Sequence, residues 1–324
     1  DAMQDDALKR RLSALNRAPL PEEAQNELLR RAAAAADRRR HTRDKEAPPS
    51  LALRLTPTAR PAPQLAGLVA RGESLETERG SCLKIVLALD ELWPGGERLV
   101  RLRHDHLAKG AATTSGAADS GQAKYQAELR RITEAFPGDL LLLDLETCGL
   151  AGAALFLVGV LRVVGDRIVV ELLLARHYGE EIAVLCALWE RITGRTLLGT
   201  FNGKSFDWPM VQDRTARHLL FKGRRPPRPQ HVDLLHSARR RWRKDLPDCK
   251  LQTLETRVCG RARTGDIPGS LIPAAYEEFV RTGFTREMDA ILQHNALDLV
   301  TLLDLAMRLA EPLAETPSGD DASG

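Results

Sequence analysis

The chain has 324 residues, 43% of them hydrophobic, enough for a substantial core; 28% are charged and the net charge is only +3, too mild by itself to mark a polyanion-binding protein. Its longest apolar stretch, Ala153 to Leu161, is far short of the roughly 20 residues of a membrane span. Cys82, Cys148, Cys186, Cys249 and Cys259 form no CxxC pair and no His/Cys zinc spacing, so they read as reduced core thiols and, with no secretory apolar run near the start, predict a cytoplasmic protein. Residues 1–75 combine an amphipathic pattern (Leu8, Leu12, Leu15), an alanine run, Arg38 to Arg40 and five prolines between Pro48 and Pro63. They are expected to form a basic, Pro-rich, partly disordered arm. Residues 76–124 are expected to hold a small β element, from the runs Leu83 to Leu89 and Leu99 to Leu102, and an Ala/Ser/Thr/Gly linker from Ala111 to Gln122. Residues 125–312 read as the main domain, and 313–324 as a disordered tail.

Within the main domain a helix is predicted to end near Phe136, and Leu140 to Leu145 forms a short buried strand. Leu155 to Val164 and Ile168 to Ala175 are strands joined at Gly165-Asp166-Arg167, a hairpin signal. Helix (Glu180 to Ile192), strand (Thr196 to Phe201), helix (Phe206 to Leu220) and strand (His231 to Leu235) follow, and a long helix runs from Arg286 to Leu309. Antiparallel strands followed by alternating helices and strands predict an α/β fold, a mixed central sheet covered on both faces.

Four carboxylates stand out. Asp144 and Glu146, two apart at a strand end, leave the same face of the sheet and can reach one cation, although an isolated Asp-x-Glu more often is solvated charge. Gly149 and Gly152 behind them leave room for close approach. Asp207 stands where Phe201-Asn202-Gly203-Lys204-Ser205-Phe206 turns into a helix with Ser205 as candidate N-cap; it can equally serve the helix dipole. Asp298 falls in the row Ile291, Asn295, Asp298, Leu302, Leu305, Leu309, a buried stripe in which a carboxylate needs a compensating partner. His294, one turn earlier, shares its side. Two divalent ions about 4 Å apart require several hard oxygen ligands from different elements, which these four residues can supply.

With these motifs in view, residues 139–310 resemble the DEDD exonuclease superfamily, and more closely the YprB-like ribonuclease H-like domains, through Leu143-Asp144-Leu145-Glu146-Thr147, Phe201 to Asp207, His231-Val232-Asp233-Leu234-Leu235-His236 and His294-Asn295-Ala296-Leu297-Asp298. The resemblance implies a three-layer ribonuclease H-like fold and 3′ to 5′ phosphodiester hydrolysis with two Mg²⁺ or Mn²⁺ ions. It implies Asp144, Glu146, Asp207 and Asp298 as ligands and His294 as the group that orients or deprotonates the attacking water. His294 precedes Asp298 by four residues, one fewer than in the superfamily's histidine branch, a spacing of the YprB-like group. Asp233 is weighed first as a structural hydrogen-bond acceptor.

Basic residues flank this core: Arg224, Arg225 and Arg228; Arg239, Arg240, Arg241, Arg243 and Lys244 around Trp242; and Arg257, Arg261 and Arg263. Such a run is often a solvated helix face. Here Asn202, Lys204, Arg239, Arg240, Arg241, Trp242 and Arg243 are expected to contact nucleic acid, the arginines on phosphates and the tryptophan on a base. A 3′ to 5′ exonuclease is the leading reading; an endonuclease or junction-processing enzyme, and an inactive binding module tethered through the arm to a helicase-type partner, are the alternatives.

Overall fold

The computed structural model describes residues 59–111, 120–149 and 152–311. Most of the expected arm (1–58) and tail (312–324), and most of the expected linker, lie outside the described residues. Strands are β1 (Arg60–Pro61), β2 (Glu73–Thr77), β3 (Gly80–Ala88), β4 (Leu140–Thr147), β5 (Leu155–Val164), β6 (Arg167–Leu174), β7 (Leu197–Thr200), β8 (Gln230–Asp233) and β9 (Arg261–Ala262). Helices are α1 (Leu89–Leu92), α2 (Gly96–Ala111), α3 (Ser120–Ala135), α4 (Glu181–Glu190), α5 (Asp207–Arg217), α6 (Leu234–Trp242), α7 (Leu251–Leu254), α8 (Ile272–Thr282) and α9 (Arg286–Ala310).

Seven strands form one mixed sheet in the order β2-β3-β6-β5-β4-β7-β8; β1 and β9 pair separately, in parallel. The β2 to β6 part of the sheet, and β5 against β4, are antiparallel; β7 and β8 continue parallel to β4. β5 and β6 read as unbroken apolar runs rather than alternating ones because both faces are covered. Their connection turns at Gly165, whose φ of 59° favours a residue without a Cβ.

The faces can be assigned from the pairing. Gly159 of β5 lies against Asn295 of α9. Val160, one residue on, points to the other face and is paired with Glu171, which meets Arg191 at the end of α4. Thus α9 covers one face and α4 the opposite one, and the protein is a three-layer α/β sandwich. α2, α3 and α6 pack against α9, whose central turns are buried all round rather than along one stripe. α5 packs beside α4, with Trp189 and Trp208 edge to face at 5.5 Å. Among the described residues no helix is long and apolar enough to cross a membrane.

Two expectations change. The run Leu83 to Leu89, expected in a separate small β element, is mostly β3, an inner strand of the main sheet between β2 and β6. Leu99 to Leu102 belongs to helix α2: an apolar run this short does not distinguish strand from helix until its neighbours decide. The Pro-rich stretch also acquires structure from Arg60 onward, through β1 and the contacts of residues 63–69 with α9.

Candidate active site

The carboxyl ends of the parallel strands β4, β7 and β8 open on one side of the sheet, where an α/β fold leaves a crevice. Asp144 and Glu146 project from the last turn of β4 just before its pairing with β5 shifts register at Glu146/Thr147. Asp207 opens α5 after β7. The expected Ser205 cap is absent: Phe206 precedes the helix with no side-chain cap, and Asp207 stands in the first turn of α5. Asp233 at the end of β8 accepts from the N–H groups of Asn202 (2.7 Å), Lys204 (3.1 Å) and Leu235 (3.1 Å). It is therefore the structural acceptor expected, and it shapes the turn that carries Asn202, held at φ 66°.

α9 adds Asn295, His294 and Asp298. Asn295, fully buried, donates through Nδ2 to Asp144 Oδ2 at 2.7 Å. His294 Nδ1 is 2.6 Å from Asp266 Oδ1, and its Nε2 faces Asp298 Oδ2 at 3.4 Å. Arg263 donates through Nη2 to Asp298 Oδ1 and through Nε to Glu255 Oε2 at 2.6 Å. A cleft of about 670 Å³ opens beside Arg263, Asp266 and His294, with Gln64 to Ala66 forming part of its wall.

Crowding sets the electrostatics. Asp144 is held protonated well above the usual carboxylate range, first by burial and then by the charges of Asp298, Asp207 and Glu146. Burial, with repulsion from Asp298 and Asp207 outweighing the pull of His294, raises Glu146 to about 8. Burial and the charges of Asp233 and Asp298 raise Asp207 to about 7. His294 also rises: burial lowers it, but the hydrogen bond to Asp266 and the charges of Asp298 and Glu146 prevail. Among the described residues no three His, Cys, Asp or Glu side chains converge into a ready-made metal shell; Asp144 is turned to Asn295 and Asp298 to Arg263. The donor chemistry fits a hard divalent cation all the same, since the crowded, partly accessible carboxylates repel one another and a cation relieves that repulsion.

The basic residues divide. Arg239, Arg240 and Arg243 are exposed on and just beyond α6, as are Arg224, Arg225, Arg228 and Lys204. Lys204 Nζ lies 3.5 Å from Glu128. Trp242 is 7% exposed and part of the core, so it offers no face to a base, and Arg241 is turned inward to the carbonyls of Arg308 and Glu311 at the end of α9. The correction follows from helix geometry: Leu235, Ala238 and Trp242 share the buried side of α6. Arg261 and Arg263 are likewise buried ion-pair partners, of Asp304 and of Asp298 and Glu255. Sequence reasoning missed the roles of Asn295, Asp266, Arg263 and Glu255. Only Asn295, a polar residue in an apolar row, carried a local signal.

The family model described as the RNase H superfamily matches residues 141–310. The "Uncharacterized protein YprB" of Bacillus subtilis (strain 168) is 35% identical over 180 residues, which is 54% of this chain and 43% of that protein's length. The chain therefore matches less than half of the curated relative.

Proposed function

The chain belongs to the RNase H superfamily, and from that premise we propose that it is a metal-dependent nuclease that hydrolyses phosphodiester bonds from the 3′ end. The observation that carries this reading is the group of mutually repelling carboxylates Asp144, Glu146, Asp207 and Asp298, brought together from β4, α5 and α9. In our reading these four hold Mg²⁺ or Mn²⁺. Two such ions, when bound, supply a water activated for attack and charge neutralisation at the leaving oxygen.

The remaining chemistry belongs to the side chains. Around the site, Arg263 bonds both Glu255 and Asp298, and Asp266 bonds His294 Nδ1. Asn295 fixes the rotamer of Asp144. Asp266 accepts from His294 Nδ1, so Nε2 is the nitrogen that faces the site and exchanges a proton there. Outside the cleft, the exposed Arg224, Arg225, Arg228, Arg239 and Arg243 are suited to nucleic-acid phosphates. The 3′ to 5′ direction rests on the likeness to DEDD exonucleases.

The test is cleavage of 3′- and 5′-labelled single- and double-stranded DNA and RNA with Mn²⁺, Mg²⁺ or EDTA, by wild type and Asp144→Asn. Metal-dependent shortening from the 3′ end, lost in the variant, is expected. Cleavage that persists in EDTA or in Asp144→Asn would sink the reading; internal cuts in a circular strand would replace the exonuclease with an endonuclease.

A further inference from the structure

The segment from Arg60 to Val69 lies outside residues 141–310, yet it is stitched to two elements beside the carboxylates at once. On one side, the N–H groups of Arg60 and Ala62 donate to the carbonyls of Gly260 (2.9 Å) and Ala262 (2.8 Å). Gln64 Nε2 donates to Thr264 O at 3.0 Å, which joins the segment to the loop that carries Arg263 and Asp266. On the other side, Gln293 and Asp289 hold Pro63, Leu65, Gly67 and Val69 on α9. The cleft of about 670 Å³ lies between these three pieces, and His294 is part of its lining.

Most of the polar groups around this cleft are already committed. Both carboxylate oxygens of Asp289 accept N–H groups of the segment, and the amide of Gln293 is used at both ends. Arg263 and Asp266 are ion-paired. Arg286 is the exception: it is exposed, and among the described residues it has no ion-pair partner. It also opens α9, the helix end at which the dipole disfavours a cation. An unpaired arginine adds no stability there, whereas a negatively charged ligand in the cleft would meet it. Leu65 and Ala66 supply an apolar surface opposite, and Gln64 Oε1 an acceptor without a partner among the described residues.

We propose that this cleft is a subsite for a single nucleic-acid strand, with Arg286 on a phosphate and the wall from Gln64 to Ala66 against the adjoining nucleoside. Size sets the class: about 670 Å³ is the volume of a small-molecule pocket and takes roughly one or two nucleotides of one strand. A duplex is left with the exposed arginines on and around α6. The segment thereby selects strand over duplex, a property supplied from outside the matched domain. This subsite rests on the nuclease reading above and specifies the substrate form that the cleft accepts.

The experiment measures binding of a fluorescein-labelled oligothymidylate of about twelve nucleotides to the full chain in EDTA, by anisotropy over a range of salt. The same strand annealed to its complement is the control, and KM for cleavage of the strand with Mn²⁺ is measured alongside. Wild type is compared with Ala66→Glu, Ala66→Lys and Arg286→Gln, all at exposed positions. Wild type is expected to prefer the strand. Ala66→Glu should weaken strand binding at least about tenfold and Ala66→Lys should tighten it, with duplex affinity held within about twofold. Arg286→Gln should weaken the strand and lower its salt slope by about 0.7, the share of one phosphate contact. Equal affinity of wild type for strand and duplex overturns the subsite. So does a strand affinity and KM that none of the three substitutions moves; if wild type still cleaves with Mn²⁺, only the subsite fails. Absence of both binding and cleavage by wild type removes the nuclease reading as well.

Discussion

Gly159 sits at the centre of the contact between sheet and helix that orients Asp144. It is paired with Asp144 across β5 and β4, and a Cβ built on it would stand 1.8 Å from Asn295 Oδ1 and 2.9 Å from Leu299 Cδ1. That amide oxygen is buried with no hydrogen-bond partner, its close neighbour being the glycine itself, while Nδ2 serves Asp144. Gly159→Ala must therefore expel Asn295 from its place. The expected loss is roughly 1–3 kcal/mol, typical of overpacking in a core. Because the damage runs through one contact, Gly159→Ala with Asn295→Ala should lose less than the sum of the two single variants in urea unfolding; strict additivity would show that the contact is not the cause. A glycine inside a strand already marks a close backbone approach, so this feature was legible in principle. Asp266 and Arg263 were not legible. They lie 28 and 31 residues from His294, and only the packing of the loop after β9 on α9 brings them there.

At the scale of elements, apolar periodicity found the strands β4 to β8 and the helix α9 because each buries a run long enough to show its period. It failed where pairing partners, not the segment's own pattern, make the structure. The Pro-rich stretch from Arg60 to Val69 has no period, yet it is fixed by tertiary bonds: β1 pairs with β9, Gln293 joins Pro63 O (2.8 Å) and Leu65 N–H (2.9 Å), and Asp289 accepts from Gly67 and Val69 N–H, each at 2.9 Å. Charged acceptors make the last two the strongest of these bonds. Asp289→Ala is accordingly expected to free the segment without loosening the sheet. Amide exchange at Gly67 and Val69 should accelerate at least about tenfold, equivalent to ~1.4 kcal/mol of local stability, while β5 and β6 amides stay unchanged. Equal acceleration in β5 and β6 would mean that the segment and the core open together. Since Gln64 to Ala66 form part of the cleft wall, the same variant should weaken nucleic-acid binding more than Mn²⁺ binding.

Over the whole molecule, two sets of carboxylates respond to pH with opposite sign: those paired with arginine and those crowded in the candidate site. On the α4 side, Glu171 is lowered to about 2: burial opposes the shift, but hydrogen bonds from Arg191 and Arg162 outweigh it. Glu181 is lowered as well, its burial overcome by hydrogen bonds from His218 and Arg214. A carboxylate lowered in the folded state gives stability that is present above its unfolded value of 4.5 and is lost as pH falls toward the folded value. For Glu171, only 7% exposed, that is up to about 3 kcal/mol at neutral pH. Among the crowded carboxylates of the candidate site the sign reverses. Asp144, Glu146 and Asp207 are raised, so their contribution to the protein without metal is complete only below the unfolded values of 3.8 and 4.5 and is lost progressively as pH climbs from there to about 7 and 8, where Asp207 and Glu146 ionise against one another. Thermal unfolding in EDTA should thus give a dome with its top near pH 4.5, falling on the acid side through loss of the arginine pairs and declining from there to about pH 8 as the crowded carboxylates are forced to ionise. Glu171→Gln should flatten the acid limb alone, and Mn²⁺ should lift the alkaline limb alone, because a cation bound there replaces the proton that the site otherwise retains. An EDTA curve that keeps rising from pH 5 to 8.5 would mean that these carboxylates are not crowded in the folded protein, and the electrostatic support for a cation site would go with it.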